Sequence, residues 1–310
     1  MKKHLFYLAM VIMASGLFVA CGGDDDDNNT DNKVTLTTAK YADEAVSFVI
    51  PEGNRKKVVS SDETVSLSRI DITESGMALI EVIKGGKKKY AQENVTINGN
   101  EYVLNGGKGR IVREVAASRA GVNLMLTINI TIYVPGIGTV TFSTETNDPV
   151  GVIEKAATIA SQASVNLART WKVTGFIVDL KGDPDVYKEF NSGDLNALRA
   201  YIEDREYTFT DEEKEAFNRY IETITISNTG MVSIAYRDGR IDAAEWSWLN
   251  SQYETFKMKL IEEGMGNKFI PENTTVSVVF KNNLCNLTLS THITGSETYD
   301  VSLTIKMQEK

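Results

Sequence analysis

The sequence predicts a mainly β protein built from two antiparallel domains, and three observations carry that prediction. From Lys33 onward, β-branched and aliphatic residues alternate with polar ones at a period of two, the spacing that sends successive side chains to opposite faces of a strand. Short turn signals rich in Gly, Asn and Asp punctuate the alternation, as hairpins require. An eleven-residue pattern in the first half also returns in the second half, 154 residues later.

The N-terminus is a different kind of segment. Lys2 and Lys3 precede an apolar run from Leu5 to Ala20 that is broken only by Ser15 and Gly16. Sixteen residues fall short of the roughly 20 that a membrane-spanning helix needs, and the proportions are those of a secretory signal peptide over residues 1–20. Cys21 follows the small Ala20 and precedes Gly22 and Gly23. The stretch from Leu17 to Cys21 resembles the lipobox of bacterial lipoproteins, with Phe18 standing where that family prefers an aliphatic residue. The resemblance implies that Cys21 is acylated, for instance with palmitate, and becomes the mature N-terminus. Several acyl chains together hold a protein on a membrane lastingly, at about 0.8 kcal/mol per buried methylene. Asp24 to Asp27, then Asn28 and Asn29, form an acidic, low-complexity run. Residues 21–32 therefore read as a solvated tether. The acidic run after the cysteine is similar to the surface-export signal of lipoproteins in the Bacteroidota. That implies an outer-membrane protein displayed at the cell surface, with the periplasmic face as the alternative.

Residues 33–168 are expected to form the first β domain. Val34, Leu36 and Thr38 begin the alternation, and Phe48 to Ile50 make a short run ending at Pro51. Val65, Leu67, Ile70 and Ile72 form a strand closed by Glu74-Ser75-Gly76, with Met77 to Ile83 as its hairpin partner and Lys84-Gly85-Gly86 as the next turn. Asn98-Gly99-Asn100 joins Val95–Ile97 to Glu101–Leu104, and Asn-Gly between two β runs is the strongest short hairpin signal. The clearest strand is Leu124 to Val134, with its even-numbered residues on one face and Met125, Thr127, Asn129, Thr131 and Tyr133 on the other. Pro135-Gly136-Ile137-Gly138 returns it to Thr139–Thr144. The period then changes: Asp148 as cap, Pro149 at the first helical position and Val152/Ile153, Ala156, Ala160 and Leu167 at helical spacing predict a helix to about Ala168. Lys87 to Lys89 and Arg55 to Lys57 read as charged loops.

Residues 169–310 are expected to form the second β domain. Trp171 to Leu180 is a strand. Leu195, Leu198, Tyr201 and Ile202 mark a helix, and Thr210-Asp211-Glu212-Glu213 is a capping box opening another. The β pattern then returns in Ile224–Ser227, Met231–Tyr236, Glu245–Leu249, Phe256–Leu260, Thr275–Phe280, Leu284–His292 and Tyr299–Met307. Residues 243–260 fit either period, and alternation in Trp246-Ser247-Trp248 and Phe256 to Leu260 favours strands.

The repeat pairs Ile70 to Ile80 with Ile224 to Ile234 around Ile-x-Ile-[Ser/Thr]-x-[Ser/Thr]-Gly-Met, and an offset of one domain length points to duplication. In the second half, Leu167 to Val173 with Trp171, the Ile224–Tyr236 hairpin, Trp246 and the late Leu287-Thr288-Leu289 resemble the lipocalin-like domains of Bacteroidota lipoproteins. Arg169 occupies the place of that family's Gly, and the first half shows no Trp motif. The resemblance implies a small meander sheet or barrel in each half and no particular ligand.

Composition narrows the partners. The chain carries 33 Lys and Arg against 42 Asp and Glu; without Lys2 and Lys3 the balance is 31 against 42, or −11. Nucleic acid is not an expected partner, since phosphate binding needs a basic face. With Cys21 acylated, Cys285 has no second cysteine with which to close an intrachain disulfide. His292 alone remains as a histidine after residue 20. Asp238-Gly239-Arg240-Ile241-Asp242 to Glu245 copies half of an EF-hand loop, but the first two ligand positions fall on Ile234 and Tyr236, so a turn is expected and no metal. Hydrolase and phosphate-loop motifs are absent from the sequence, and neither a cofactor nor an enzymatic activity is expected. Trp171, Trp246, Trp248 and Tyr236 are the candidate ligand-lining residues, because exposed aromatic faces stack on sugar rings and apolar ligands. The functional expectation is a membrane-anchored binding module for a glycan, a small apolar ligand or a protein partner. A structural subunit of an outer-membrane complex is the alternative, and a secreted hydrolase is the least favoured.

Overall fold

The structure is a computed structural model. It describes residues 36–118, 121–145, 147–159, 161–181, 187–204, 208–249, 255–260, 275–294 and 298–310. Cys21, the signal segment and the acidic tether lie outside the described residues.

The first half runs β1 (Val46–Val49), α1 (Glu52–Arg55), β2 (Val59–Ser60), β3 (Val65–Ile72), β4 (Met77–Lys84), β5 (Lys87–Asn98), β6 (Glu101–Leu104), β7 (Gly109–Ser118), β8 (Gly121–Val134), β9 (Gly138–Ser143), β10 (Val150–Ala156) and α2 (Gln162–Leu167). The second runs β11 (Thr170–Lys181), β12 (Lys188–Phe190), α3 (Leu195–Glu203), α4 (Asp211–Phe217), β13 (Ile221–Ser227), β14 (Met231–Tyr236), β15 (Ile241–Trp248), β16 (Thr255–Leu260), β17 (Thr275–Lys281), β18 (Leu284–Thr294) and β19 (Thr298–Glu309). Each half is a closed, up-and-down antiparallel barrel of eight strands. The first ring is β10-β1-β3-β4-β5-β6-β7-β8, sealed by a β8–β10 pairing; β9 and β2 extend from β8 as a flap. The second ring is β11-β13-β14-β15-β16-β17-β18-β19, sealed by β11 with β19, and β12 flanks β11. By contacts, one compact unit comprises Thr38–Arg169 with Ile226–Ser233, and the other contains Thr170–Thr225 and Ile234–Lys310.

The alternation in the sequence is the inside–outside alternation of these barrels. On β8, Leu126, Ile128, Ile130, Ile132 and Val134 are buried, and Asn129, Thr131 and Tyr133 are exposed. Phe48, Ile70, Ile80, Val82, Ala91, Tyr102, Ile111 and Phe142 join the same core. Two buried carboxylates on the other face of the first barrel are paired. Glu81, itself buried, accepts from Ser68 Oγ (2.8 Å), Lys88 Nζ (3.0 Å) and Tyr90 Oη (3.0 Å). Asp71 is held by both Arg69 Nη2 (2.9 Å) and Arg69 Nε (2.8 Å). Burial pushes the Asp71 carboxyl above its usual range, and the Arg69 charge pulls the other way.

Three expectations are corrected, and one strand had no expectation. The helix expected to about Ala168 is largely strand: Val150–Ala156 is β10, and only Gln162–Leu167 is helical, capped by Ser161 Oγ. Ring closure explains the difference, because Val46↔Ala156 and Phe48↔Glu154 pair on one side of β10 and Val150↔Leu126 on the other. Two strand ladders override a local helical spacing. Lys87–Lys89 is not a loop but the start of β5, where Lys88 meets Glu81. Residues 36–39 form no strand, and β7 went unread between its flanking turns. The ambiguous residues 243–260 contribute strands β15 and β16, paired Trp246↔Met258 and Trp248↔Phe256.

The sequence repeat corresponds to strands β3–β4 and β13–β14, and Gly76 and Gly230 close both turns at φ +72° and +86°. Only glycine adopts that conformation without penalty, which accounts for its place in the motif. The correspondence extends around both rings. Strands β1, β3, β4, β5, β6, β7, β8 and β10 match β11 and β13 to β19 in order.

Candidate functional site

Cross-strand register makes the two barrels comparable residue by residue. Ile70 pairs with Phe48 in the first barrel, and its repeat partner Ile224 pairs with Trp171 in the second. Phe48 is therefore the counterpart of Trp171, and the first half has no Trp motif because phenylalanine fills the position. Both side chains are fully buried. Phe48 pairs onward with Glu154, and Trp171 with Glu309. Val152 opposite Leu124 corresponds to Met307 opposite Cys285. Val115 opposite Leu124 corresponds to Phe280 opposite Cys285. Two residues further along, Arg113 corresponds to Val278.

These equivalent ends are built differently. In the second barrel the end is plugged. Trp171 lies against the half-buried Phe280 at 6.3 Å between ring centroids, and Trp171, Cys285 and Met307 are fully buried. Glu309 there accepts from the backbone N–H of Thr37 and from its hydroxyl. In the first barrel the same positions carry smaller side chains, and solvent reaches them: Leu124 and Val152 are half-buried and Val115 is 60% exposed. Arg113 follows Ile111 by two residues and pairs with core Leu126, so it shares their inward face. Glu154, paired with core Phe48, faces inward as well. The two form a bidentate ion pair, Arg113 Nε to Glu154 Oε2 and Nη2 to Oε1, the latter 3.0 Å. Their side chains are 31% and 19% exposed. The Glu154 carboxylate raises the Arg113 pKa, which burial by itself would lower.

Beneath the pair, Tyr102 meets Phe48 edge-on at 5.6 Å. Burial raises the Tyr102 hydroxyl pKa, opposed by the nearby Arg113 charge. Asn100, which falls opposite Arg113 just before β6, fixes the strand by donating from Nδ2 to Arg113 O (2.9 Å) while Arg113 N–H donates to Asn100 O (2.8 Å). The end of the first barrel thus presents a net-neutral pair of opposite charges above an aromatic floor, with Val115, Leu124 and Val152 side by side on β7, β8 and β10.

The aromatic residues singled out in the sequence lie in the second barrel. Trp246 and Trp248 come together on the inward face of β15, 5.3 Å apart and each edge-on to Phe256. Trp246 is buried and Trp248 half-buried, with Leu249 exposed beyond it. Trp171 belongs to the plug. Tyr236 is buried and donates to Asp242 Oδ2 (2.7 Å), which also receives Arg219 Nη1 (3.0 Å). Asp242 and Trp248 stand six residues apart on one strand, about 20 Å at the rise of a β-strand, so Tyr236 and Trp248 face different ends of the barrel. Burial, reinforced by the Asp242 charge, pushes the Tyr236 hydroxyl well above its ordinary range. The half EF-hand is the β14–β15 turn: Asp238 caps Arg240 N–H (3.0 Å), and Asp242 is engaged by Tyr236 and Arg219. Among the described residues, no group of three or more His, Cys, Asp and Glu side chains is placed to hold a metal ion.

Sequence reasoning missed Arg113, Glu154 and Tyr102. Glu154 fell in a segment with helical spacing and Arg113 in an unread strand. An available signal was the every-second-residue series Ile111, Arg113, Val115, in which one charged residue interrupts an otherwise apolar face.

No protein-family model matches the chain, and no curated protein matches it. Among solved structures, it is similar to a protein from Bacteroides fragilis NCTC 9343 described as a "putative outer membrane protein", at 10% identity and a TM-score of 0.28 over 88% of this chain and 100% of that one. A protein of unknown function from the DUF3598 family of Nostoc punctiforme PCC 73102 aligns at 8% identity and a TM-score of 0.17, also over 88% of this chain and 100% of that one. Similarity at these levels carries no argument about function.

Proposed function

We propose that this protein is a lipid-anchored outer-membrane lipoprotein that binds a small amphipathic molecule at the end of its first barrel, without catalysis. One observation carries the binding reading: an inward Arg113–Glu154 pair stands at a solvent-reached barrel end whose counterpart in the second barrel is filled by Trp171, Phe280 and Met307. Ions inside an apolar ring carry a desolvation cost that packed hydrophobic residues would avoid, so a charged pair there is better explained by a ligand than by stability. A carboxylate already saturated by a guanidinium is a poor base, which favours binding over chemistry. The anchor is supported by the resemblance around Cys21, and surface display by the Asp24–Asp27 tether.

Two measurements test the proposal. Wild-type protein is expected in the membrane fraction and labelled by palmitate. Cys21→Ser is expected to be unlabelled and to leave the membrane; a variant still held there overturns the anchor. In a thermal-shift screen of amphiphiles with chains of eight to twelve carbons, stabilisation is expected for wild type and not for Val115→Trp. Stabilisation by no compound, with co-purification of an outer-membrane protein instead, would favour the accessory-subunit reading.

A further inference from the structure

We infer that the ligand of the first barrel has an uncharged, hydrogen-bonding head, a hydroxyl or amide group on an apolar body, and that Arg113 and Glu154 select it jointly. The inference rests on the binding reading above. Arg113 and Glu154 are each other's partners through two parallel hydrogen bonds, so the pair itself has no net charge to offer, and the further charge felt at the Tyr102 floor, Glu44, is a second carboxylate. An anionic head drawn to Arg113 would meet the Glu154 carboxylate at the same place, and a cationic head drawn to Glu154 would meet the guanidinium. Either leaves one charge opposed in a partly desolvated ring, where opposed charges cost more than in water. A hydroxyl or amide avoids both costs, because it donates to a carboxylate and accepts from a guanidinium at once. Such a head can sit across the edge of the pair without breaking it. Val115, Leu124 and Val152 supply the apolar collar, and the Tyr102 ring forms the floor against Phe48.

The second barrel supports the pairing of these two roles. There Val278 replaces the arginine, the corresponding Glu309 is satisfied by Thr37, and the collar positions hold Phe280, Cys285 and Met307. Loss of the arginine goes with a more closed collar, in which Cys285 and Met307 are fully buried and Phe280 half-buried, as expected if both serve one ligand.

The test uses the full chain carrying Cys21→Ser, free of lipid and detergent, and three probes below their micelle-forming concentrations: n-octyl β-glucoside, decanoate and decyltrimethylammonium. Isothermal titration calorimetry is expected to give the glucoside at least about tenfold tighter binding than either ion, a factor of ten being one step of affinity. Glu154→Gln exposes an uncompensated guanidinium and is expected to shift the preference about tenfold or more toward decanoate. Arg113→Gln is expected to shift it toward the cation. Val115→Trp is expected to abolish binding of all three; if that variant lacks a cooperative melt, Val115→Phe, which copies the second barrel, takes its place. A charged probe that binds wild type as tightly as the glucoside, or a Glu154→Gln preference identical to wild type, overturns the head-group assignment and leaves the binding site standing. Failure of all three probes to bind wild type overturns both.

Discussion

At the scale of single residues, burial and pairing decide what each charged group contributes. Asp71 is a buried carboxylate held by Arg69, and burial raises its pKa above the unfolded value of about 3.9. Between those two values the native state binds more protons than the unfolded state, so this group makes stability fall as pH rises from about 4. Asp71→Asn is expected to flatten that slope in denaturant melts collected from pH 4 to 7. The slope is diagnostic because the substitution also strips Arg69 of its partner, which lowers stability at every pH. Core positions behave more simply. Phe142 is fully buried on β9, and Phe142→Ala is expected to cost about 3–5 kcal/mol by chemical denaturation. Gly109 is fixed by geometry: at φ +107°, an added Cβ would lie 2.0 Å from Asn129 O. Gly109→Ala is therefore expected to lower stability by more than the ~1 kcal/mol of an ordinary glycine replacement.

At the scale of elements, the strands with clean alternation could be read and those specified by their neighbours could not. β8 was legible because six inward residues in a row, Leu124 to Val134, are aliphatic. Hairpins β3–β4 and β13–β14 were legible because their glycine turns repeat. β7 was not, because Arg113 interrupts its inward face and the sequence offers no sign that a partner waits on β10. β10 was misread for the same reason from the other side: Val150, Val152 and Glu154 make sense as alternation only once the ring assigns them an inside. The site residues were therefore hidden by the feature that makes them a site, polar groups placed where the pattern calls for apolar ones. β10 is also the keystone of its ring, paired on both edges. Val152→Pro removes a backbone donor from a doubly paired strand, where proline is not tolerated. It is expected to abolish the cooperative thermal transition of the first barrel by circular dichroism, while the same change at exposed Ile159, just past the strand, is expected to be nearly silent.

At the scale of the whole molecule, two copies of one strand order have diverged at one end. Filling that end in the second barrel with Trp171 and Phe280 leaves a plain core, and opening it in the first leaves the Arg113–Glu154 pair. The divergence can be tested by reversal. Val278→Arg places a guanidinium beside Phe280, with Glu309 as the carboxylate that corresponds to Glu154. Val278 is half-buried next to the fully buried Trp171, Cys285 and Met307, and a loss of about 3 kcal/mol or more in denaturant midpoint analysis is expected. A small loss would mean that the plug yields easily and that the difference between the barrels is one of sequence rather than of space.

The seam of the second ring has a consequence in time. β11 closes on β19 through pairs such as Val173↔Met307 and Val178↔Leu303, so its two edges are made more than a hundred residues apart. Contacts of such long separation form late. While the chain is emerging from a ribosome, β11 has been made but its partner has not, and the ring stays open until Thr298–Glu309 arrives. The first ring, sealed by β10 on β8, has all of its strands by Ala156, so the two barrels become able to close at different times, the second only with the last strand.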